Sequence, residues 1–257
     1  MMRRKNLFWG MGIVVCILLV VGAVKLFPKI YIPAKDYPAI QASGILNVVT
    51  EYNSVGYYVS GDTIAGFQYE LCRHIEKRSG LEVRISLENN WKSCLEKLNN
   101  NTYDIIAMNI PITNESKGSL AFTNPITRGK QVLVQRKPGV NDSLPLIRNQ
   151  IDLARKTILV PARSPCILRL HYLSEEIAEP IYIREVDKYT QEQILYVIAY
   201  GGANYAVVDK KIALKNAKLF PNLDMNTDIS FTQLQAWAVR PNAPVLLDSL
   251  NRWMADY

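Results

Sequence analysis

The hydrophobic pattern divides the chain into an apolar N-terminal segment and a long region of short strands and amphipathic helices. Residues 7–24 form an uncharged apolar run, and beyond residue 44 the apolar positions recur with strand and helix periods. The run IIAM at 105–108 is typical of a strand buried on both faces in a parallel sheet. Apolar residues at helical spacing predict an amphipathic helix over 66–79, which Gly80 ends.

The predicted elements form two strand–helix series, which indicates an α/β fold with two lobes. The short links of the first series predict right-handed crossovers and a mostly parallel sheet. Pro28, Pro33 and Pro38 indicate an extended tether over 28–43. The predicted strands lie at 44–52, 81–87, 105–108, 130–136, 157–160, 181–185, 205–208 and 235–239. Further helices are predicted from Trp91 to the asparagines at 99–101, from Ser164-Pro165 onward, and at 190–200 and 244–254.

Polar residues follow the apolar run at 105–108, where Asn109, Pro111 and Thr113 predict that the chain leaves the sheet. Ligands of open α/β sheets bind at the carboxyl ends of the strands, because loops and helix N-termini with unpaired backbone donors meet there. Asn109 and Thr113 are therefore candidate ligand-binding residues.

The apolar run at 7–24 is long enough to cross a membrane as a helix. The basic residues at 3–5 predict a cytoplasmic N-terminus, which places the remaining chain across the membrane. The alternative is a cleaved signal peptide with a weak small-residue site at 21–23. The length of the run, and Lys25 and Phe27 after it, favour an uncleaved anchor. We therefore predict a transmembrane helix within residues 1–27.

Composition excludes several classes of function. The net charge is +7, but four of the 30 basic residues flank the apolar run, and no basic stripe with interleaved aromatic residues indicates nucleic-acid binding. The four cysteines and two histidines show no metal-ligand spacing, so we expect neither a metal nor a cofactor. Cys72 and Cys94 can form a disulfide in an oxidising compartment, although buried free thiols are favoured.

Five motifs in order resemble the family 3 extracytoplasmic solute-binding proteins, over about residues 40–257. They are GFQYEL at 66–71, YDII at 103–106, IT at 112–113 followed by FTNP at 122–125, YAVVD at 205–209 and AWAVR at 236–240. Other stretches resemble the regulatory domain of membrane-bound lytic murein transglycosylase F. These stretches are YEL at 69–71, the strand at 131–136, Ser164-Pro165, Tyr182-Ile183 and SFTQLQAW at 230–237.

The resemblance implies a periplasmic-binding-protein type II fold whose two lobes are joined by a hinge. Lobe 1 would span 40–132 plus 236–257, and lobe 2 would span 133–235. In the transglycosylases a lysozyme-like catalytic domain would follow, whereas this sequence ends at Tyr257. We therefore expect no transglycosylase activity from this chain.

The resemblance also implies a ligand site, and it places a serine where the family has its ligand-binding arginine. That arginine, three residues after the threonine of the IT motif, forms a bidentate pair with the ligand carboxylate. Ser116 occupies its position here, so binding of standard α-amino acids is in doubt. Asp209 matches the aspartate that pairs with the ligand ammonium, and its alternative role is a helix cap.

The remaining candidates are an anion site and an aromatic wall. Ser164 lies at a predicted helix N-terminus, where backbone amides attract negative groups. Arg163 replaces the usual glycine before it, and we hypothesise that Arg163 supplies the cation missing at position 116. Family members also place an aromatic residue against the ligand after the first strand, where Tyr52, Tyr57 and Tyr58 are the candidates.

These observations predict a membrane-anchored, non-enzymatic binding protein or sensor. Its ligand would be a small polar molecule, either a muropeptide or amino-acid-like, and its protein partner a cell-wall hydrolase or a transporter. The predicted location is the inner membrane, with one transmembrane pass and a periplasmic domain, or the periplasm after signal cleavage. Two alternatives stay open: a regulatory part of a lytic transglycosylase without its catalytic domain, and a ligandless scaffold.

Overall fold

A computed structural model describes residues 35–139, 144–162, 164, 166–186 and 189–257, whose strands form two main sheets and a small hairpin. The first part of the chain contains α1 Tyr37–Ser43, β1 Ile45–Thr50, β2 Tyr58–Ser60, β3 Thr63–Ala65, α2 Phe67–Ser79, β4 Glu82–Leu87, α3 Trp91–Asn99, β5 Ile105–Pro111, a 3-10 turn Ser116–Gly118, β6 Ala121–Phe122 and β7 Thr127–Gly129. The middle part contains β8 Gln131–Arg136, a 3-10 turn Gln150–Leu153, β9 Thr157–Pro161, α4 Cys166–Glu176, β10 Tyr182–Val186, α5 Gln191–Ala199, β11 Tyr205–Asp209, α6 Lys210–Asn216 and β12 Leu223–Asp228. The chain ends with β13 Gln233–Val239 and α7 Pro244–Met254.

The sheet of lobe 1 has the strand order β4-β1-β5-β13-β6, and β7 also pairs with β13. Strands β4, β1 and β5 are parallel, while β13 runs antiparallel to β5. Side chains on both faces of this sheet are buried. Val48 packs with α2 and α7 around the fully buried Trp237, whereas Val49 packs with Cys94 and Leu98 of α3 on the opposite face.

The sheet of lobe 2 has the order β10-β9-β11-β8-β12, with α4 on one face and α5 and α6 on the other. Strands β10, β9 and β11 are parallel, while β8 is antiparallel to β11 and β12. The expectation of parallel strands therefore holds for the helix-linked strands of both lobes. No direction was predicted for β8 and β13, and both are antiparallel to their parallel neighbours because each begins at the cleft between the lobes, where the parallel strands end.

The chain crosses between the sheets at residue 130 and at 229–232. The two crossings are hydrogen-bonded to each other, from Ile229 N to Gln131 O at 2.8 Å and from Gln131 N to Ser230 Oγ at 2.9 Å. Paired crossing segments of this kind are where a hinge between two lobes is expected. The finer lobe bounds at 132 and 236 stay a prediction.

Several predicted elements need correction. The tether over 28–43 is wrong for its last part, because α1 is a helix whose first amide donates to the Asp36 side chain at 2.7 Å. Pro38 lies in the first turn of that helix, where proline is tolerated. The strand predicted to end at Met108 continues to Pro111, because β13 pairs with it as far as that residue. The β2–β3 hairpin, α6 and β12 were not predicted.

The N-terminal anchor predicted at 7–24 and Cys16 lie outside the described residues. Within the part of the chain that the structure describes, no helix is long and apolar enough to cross a membrane. Cys72, Cys94 and Cys166 are buried free thiols, which confirms the favoured interpretation of Cys72 and Cys94.

A buried ionic cluster joins two of the sequence motifs. Arg240 donates to the carbonyls of Leu98 at 3.0 Å, Tyr103 at 2.5 Å and Lys35 at 2.6 Å, and to Asp104 Oδ1 at 3.3 Å. Lys35 Nζ lies 3.0 Å from the other oxygen of Asp104, whose side chain is fully buried. The YDII and AWAVR motifs therefore meet in the framework of lobe 1.

We predict that Asp104→Ala lowers the free energy of unfolding by about 3 kcal/mol or more, because it leaves the buried Arg240 without its counter-charge. Urea denaturation of the full chain measures this change. Asp62→Ala, in the exposed turn between β2 and β3, is the matched control and is expected to change stability by less than about 0.5 kcal/mol. Equal effects of the two substitutions would contradict the role of Asp104 as the counter-charge of Arg240.

Candidate functional site

The two lobes face each other across a narrow polar cleft. It contains two adjoining cavities of about 60 Å³ and 110 Å³. The ends of β1, β5 and β9 and the start of α5 contribute residues to their walls, and β11 ends at the smaller cavity. The carboxyl ends of the parallel strands therefore form the candidate site. Five residues line both cavities: Glu51, Asn53, Asn109, Ser164 and Gln191.

Direct hydrogen bonds hold the lobes together beside the cavities. Ser54 of lobe 1 donates from its backbone N and its Oγ to Glu192 Oε1 of lobe 2, at 2.8 and 3.0 Å. Asn216 Nδ2 donates to the same Oγ at 2.9 Å. On a neighbouring part of the interface, Lys211 Nζ donates to Thr127 Oγ1. The structure is therefore that of the closed form.

The loop that carries Glu51 is fixed by Asn53 and by the first turn of α2. Asn53 Oδ1 accepts from Gly56 N at 2.6 Å, and its Nδ2 donates to Glu51 Oε1 at 2.8 Å. Gly56 O in turn accepts from Gln68 N at 2.9 Å. Gly66 has a φ of 123°, and a Cβ at this position would overlap Gly56 O, so the close contact requires glycine.

Three carboxylates from both lobes converge on the cleft. Glu51 follows β1, Glu192 lies in the first turn of α5, and Asp209 ends β11. Burial raises the pKa of Glu51 from 4.5 to about 7, and the negative charges of Glu192 and Asp209 add to this rise. Burial also raises the pKa of Asp209. The closed cleft therefore disfavours negative charge on its own side chains.

Asp209 has the helix-cap role considered for it and also lies at the cleft, while its pairing with a ligand ammonium stays a prediction. Its Oδ1 accepts from Lys211 N at 2.8 Å, so it caps α6, and the residue also lines the smaller cavity. The Gln235 side chain of lobe 1 acts in the opposite direction to burial and lowers the pKa of this carboxyl group. Side chains of both lobes therefore influence Asp209.

The structure brings some of the other predicted residues to the cleft. Asn109 and Ser164 line both cavities, and Tyr52 lines the larger one. Tyr57 and Tyr58 line neither. Tyr57 packs edge-on against Tyr69 with ring centroids 5.7 Å apart, and the Tyr58 ring lies 6.0 Å from Lys215 Nζ. Arg163 lies outside the described residues, so its compensating role stays a prediction.

Asn109 is positioned by two successive hydrogen bonds that begin at a buried tryptophan. Trp237 Nε1 donates to Gln68 Oε1 at 2.5 Å, and Gln68 Nε2 donates to Asn109 Oδ1 at 2.8 Å. The Nδ2 group is therefore what Asn109 can offer to a ligand. Gln68 of the GFQYEL motif and Trp237 of the AWAVR motif therefore both help to orient Asn109.

Thr113 and Ser116 line a third, larger opening of about 670 Å³ between the lobes. Their hydroxyl groups bond to each other at 3.0 Å, and Ser116 Oγ accepts from Thr113 N at 2.9 Å. Ser116 Oγ also lies 3.2 Å from Pro111 O, to which it can donate. Ser116 therefore stabilises its own turn and supplies no charge where the family has arginine.

Six residues that line the two cavities were not identified as site residues from the sequence. They are Glu51, Asn53, Gln131, Gln191, Glu192 and Gln235. Two signals were available. Glu51 lies at the carboxyl end of the first predicted strand, and Thr190 with Gln193 forms a capping box that marks a helix N-terminus at the cleft. Gln131 and Gln235 lie within strands, where the sequence does not show which end reaches the cleft.

The fold and the cleft define a two-lobed α/β binding protein. The family profile described as bacterial extracellular solute-binding proteins, family 3, matches residues 46–257. The chain therefore belongs to this family, as its motifs predicted.

Several curated relatives of the chain are membrane-bound lytic murein transglycosylases F. The protein of Shewanella woodyi is 27% identical over 202 residues, which are 78% of this chain and 40% of the relative. That of Cronobacter sakazakii is 25% identical over an alignment covering 100% of this chain and 49% of the relative. The chain thus spans less than half the length of these relatives.

Solved structures support the same fold. Holo ArgBP from T. maritima superposes with a TM-score of 0.72 at 24% identity, covering 86% of this chain and 93% of that one. An ancestral arginine-binding protein bound to arginine has a TM-score of 0.72 at 20% identity, covering 83% and 92%. At these identities the likeness establishes the two-lobed fold alone.

We predict that Glu51 makes the free energy of unfolding fall as the pH rises from about 4.5 to 7. Its raised pKa means that the folded protein holds a proton which the unfolded chain has already lost, so the stabilisation is complete below the unfolded pKa. Across this window the loss amounts to roughly 2–3 kcal/mol. Urea denaturation of the full chain at a series of pH values from about 4 to about 8 measures it.

Glu51→Gln isolates the contribution, because its neutral amide does not titrate. The variant should lose stability less steeply over this pH range than the wild type. Glu175→Gln, at an exposed position of α4, is the matched control and should retain the wild-type slope. Parallel curves for the wild type and Glu51→Gln would show that Glu51 titrates normally.

Proposed function

We propose that the protein is a membrane-anchored extracytoplasmic solute-binding protein or sensor that closes on a small polar ligand. The observation that carries this proposal is the pair of polar cavities walled by both lobes. A ligand there contacts lobe 1 through Glu51 and Asn109 and lobe 2 through Ser164 and Asp209. It therefore has contacts in the closed form that an open form does not offer.

Ligand binding acts by shifting the population toward the closed form. A ligand stabilises a conformation only by its additional affinity for it. The contacts of Ser54 with Glu192 and Asn216 already favour closure. Repulsion between the cleft carboxylates opposes closure. The equilibrium between the open and closed forms therefore depends on what occupies the cleft.

The relatives support a proposal for the ligand class and the partner. We propose a muropeptide or an amino-acid-like molecule, because curated relatives are named murein transglycosylases and the structural neighbours include arginine-binding proteins. The partner would be a cell-wall hydrolase or a transporter. The anchor at 7–24 would hold the binding domain at the periplasmic face of the inner membrane, and a cleaved signal would instead release it into the periplasm.

Two alternatives each have an observation in their favour. Coverage of less than half of the transglycosylase relatives favours a regulatory region of such an enzyme. Peptidoglycan release by the chain would support catalysis and contradict a purely binding role. The use of the Ser116 hydroxyl within its own turn favours a ligandless scaffold.

We predict that amino acids or muropeptides raise the melting temperature of the full chain. A ligand at one hundred times its Kd adds about 2.7 kcal/mol, which corresponds to roughly 5 °C or more for a protein of this size. Differential scanning fluorimetry measures the shift, and small-angle scattering measures the accompanying compaction.

Asp209→Asn should reduce the shift, because it removes the charge while asparagine still caps α6. Asp152→Asn, exposed on lobe 2, should leave the shift unchanged. If no compound of either class raises the melting temperature, the scaffold alternative replaces the binding function.

A further inference from the structure

We propose that the cleft recognises its ligand through an ammonium or guanidinium group and does not require a carboxylate on that ligand. This inference rests on the proposed binding function and specifies its ligand. It departs from the amino-acid recognition expected of the family, in which the carboxylate is bound by an arginine.

The cleft presents an excess of hydrogen-bond acceptors. Glu51, Glu192 and Asp209 come from three different elements and both lobes. Glu88 also lines the larger cavity, but it is already paired with Lys97 Nζ at 2.8 Å. A cation placed among the first three carboxylates gains from each of them and relieves their mutual repulsion.

Two glutamines supply an independent indication of the same chemistry. The Oε1 atoms of Gln131 and Gln235 are buried, and neither has a hydrogen-bond donor among the described residues. Both residues line the smaller cavity, and Gln235 is only 4% exposed. Buried acceptors without donors are unfavourable, so a ligand carrying several N–H groups would satisfy them.

The orientation of Gln235 follows from its neighbours. The Gln235 side chain lowers the pKa of Asp209, as an N–H donor beside a carboxylate does, while its buried Oε1 has no donor among the described residues. Gly129 lies against the same amide, where a Cβ would overlap it. Gln235 therefore remains an acceptor toward the cavity.

The described residues that line the two inner cavities supply no matching cation for a ligand carboxylate. The described walls of the two cavities contain no lysine, arginine or histidine. Arg169 and His171 border only the outer opening, and Arg169 is already paired with Glu176 at 2.8 Å.

Nearby lysines have other partners: Lys130 and Lys210 both bind Asp228, at 2.8 and 2.6 Å, and Lys211 binds Thr127. Among the described residues, a carboxylate placed in the inner cavities would face the three protein carboxylates and no cationic side chain.

Cavity dimensions suit a small charged end group. The inner cavities, of about 60 and 110 Å³, can enclose an ammonium or a guanidinium. Ser164 lines these cavities and also the opening of about 670 Å³, which Trp91 and Tyr172 border. If the ligand is a peptide with a cationic side chain, that side chain can occupy the inner cavities while the rest of the peptide extends into this opening.

Isothermal titration of the full chain at pH 8 tests the inference with compounds that differ by one carboxylate. Agmatine is arginine without its α-carboxylate, cadaverine is lysine without it, and glutamate is an anionic reference. We expect each decarboxylated compound to bind at least about tenfold more tightly than its amino acid, and glutamate not to bind. Tighter binding of arginine, lysine or glutamate would overturn the inference.

Variants connect the preference to the named side chains. Glu51→Gln and Asp209→Asn should each weaken agmatine binding about tenfold or more, and Glu175→Gln should leave it unchanged. Undiminished agmatine binding by both cleft variants would overturn the inference. If arginine binds more tightly than agmatine and Arg163→Ala removes that preference, Arg163 compensates for Ser116 and the inference is wrong.

The two proposals fail in distinguishable ways. Binding of amino acids or muropeptides without binding of the decarboxylated compounds would overturn only the cation preference. Absence of a response to every compound would overturn this inference together with the binding function.

Discussion

Repulsion between carboxylates of opposite lobes is the constraint on which the closed cleft depends. Closure brings Glu51 of lobe 1 under the influence of Glu192 and Asp209 of lobe 2 and partly removes it from water. Ionised groups in such surroundings must be neutralised or paired. The protein itself meets this requirement in two ways, through a proton bound to Glu51 and through the hydrogen bonds that Asn53 and Ser54 donate. A bound cation would be a third and would make closure depend on the ligand.

The rest of lobe 1 holds these groups in position. The loop bearing Glu51 is fixed to the first turn of α2 through Gly56 and Gly66, and the two hydrogen bonds that begin at Trp237 set the orientation of Asn109. Behind them, Arg240 and Asp104 tie the end of β13 to the start of β5. Residues of the family motifs thus mostly build the framework of the site. With the exception of Asp209 in the YAVVD motif, the polar side chains that face the ligand lie beside those motifs.

The sequence was sufficient for the main architecture but not for much of the cleft wall. Helix α2 and its end at Gly80 follow from apolar spacing and from a glycine that reaches the left-handed conformation without strain. Helix α1 was missed because three prolines suggested extended chain, although Pro38 fits a first helical turn. Asn109 was found because it follows a buried apolar run, and Asp209 was found because it matches an aspartate of the family. Gln131 and Gln235 were missed because their role depends on which end of β8 and β13 reaches the cleft.

The central claim is that a bound cation takes the place of a proton in the cleft. Calorimetric titration of the full chain with agmatine at pH 6.5, repeated in buffers of different ionisation enthalpy, counts the protons exchanged on binding. Because Glu51 has a pKa of about 7 in the closed form, it carries about three quarters of a proton at pH 6.5, and we expect release of roughly half to three quarters of a proton per ligand bound. Glu51→Gln should abolish most of that release. Binding of agmatine with no proton release, or with proton uptake, would contradict the account.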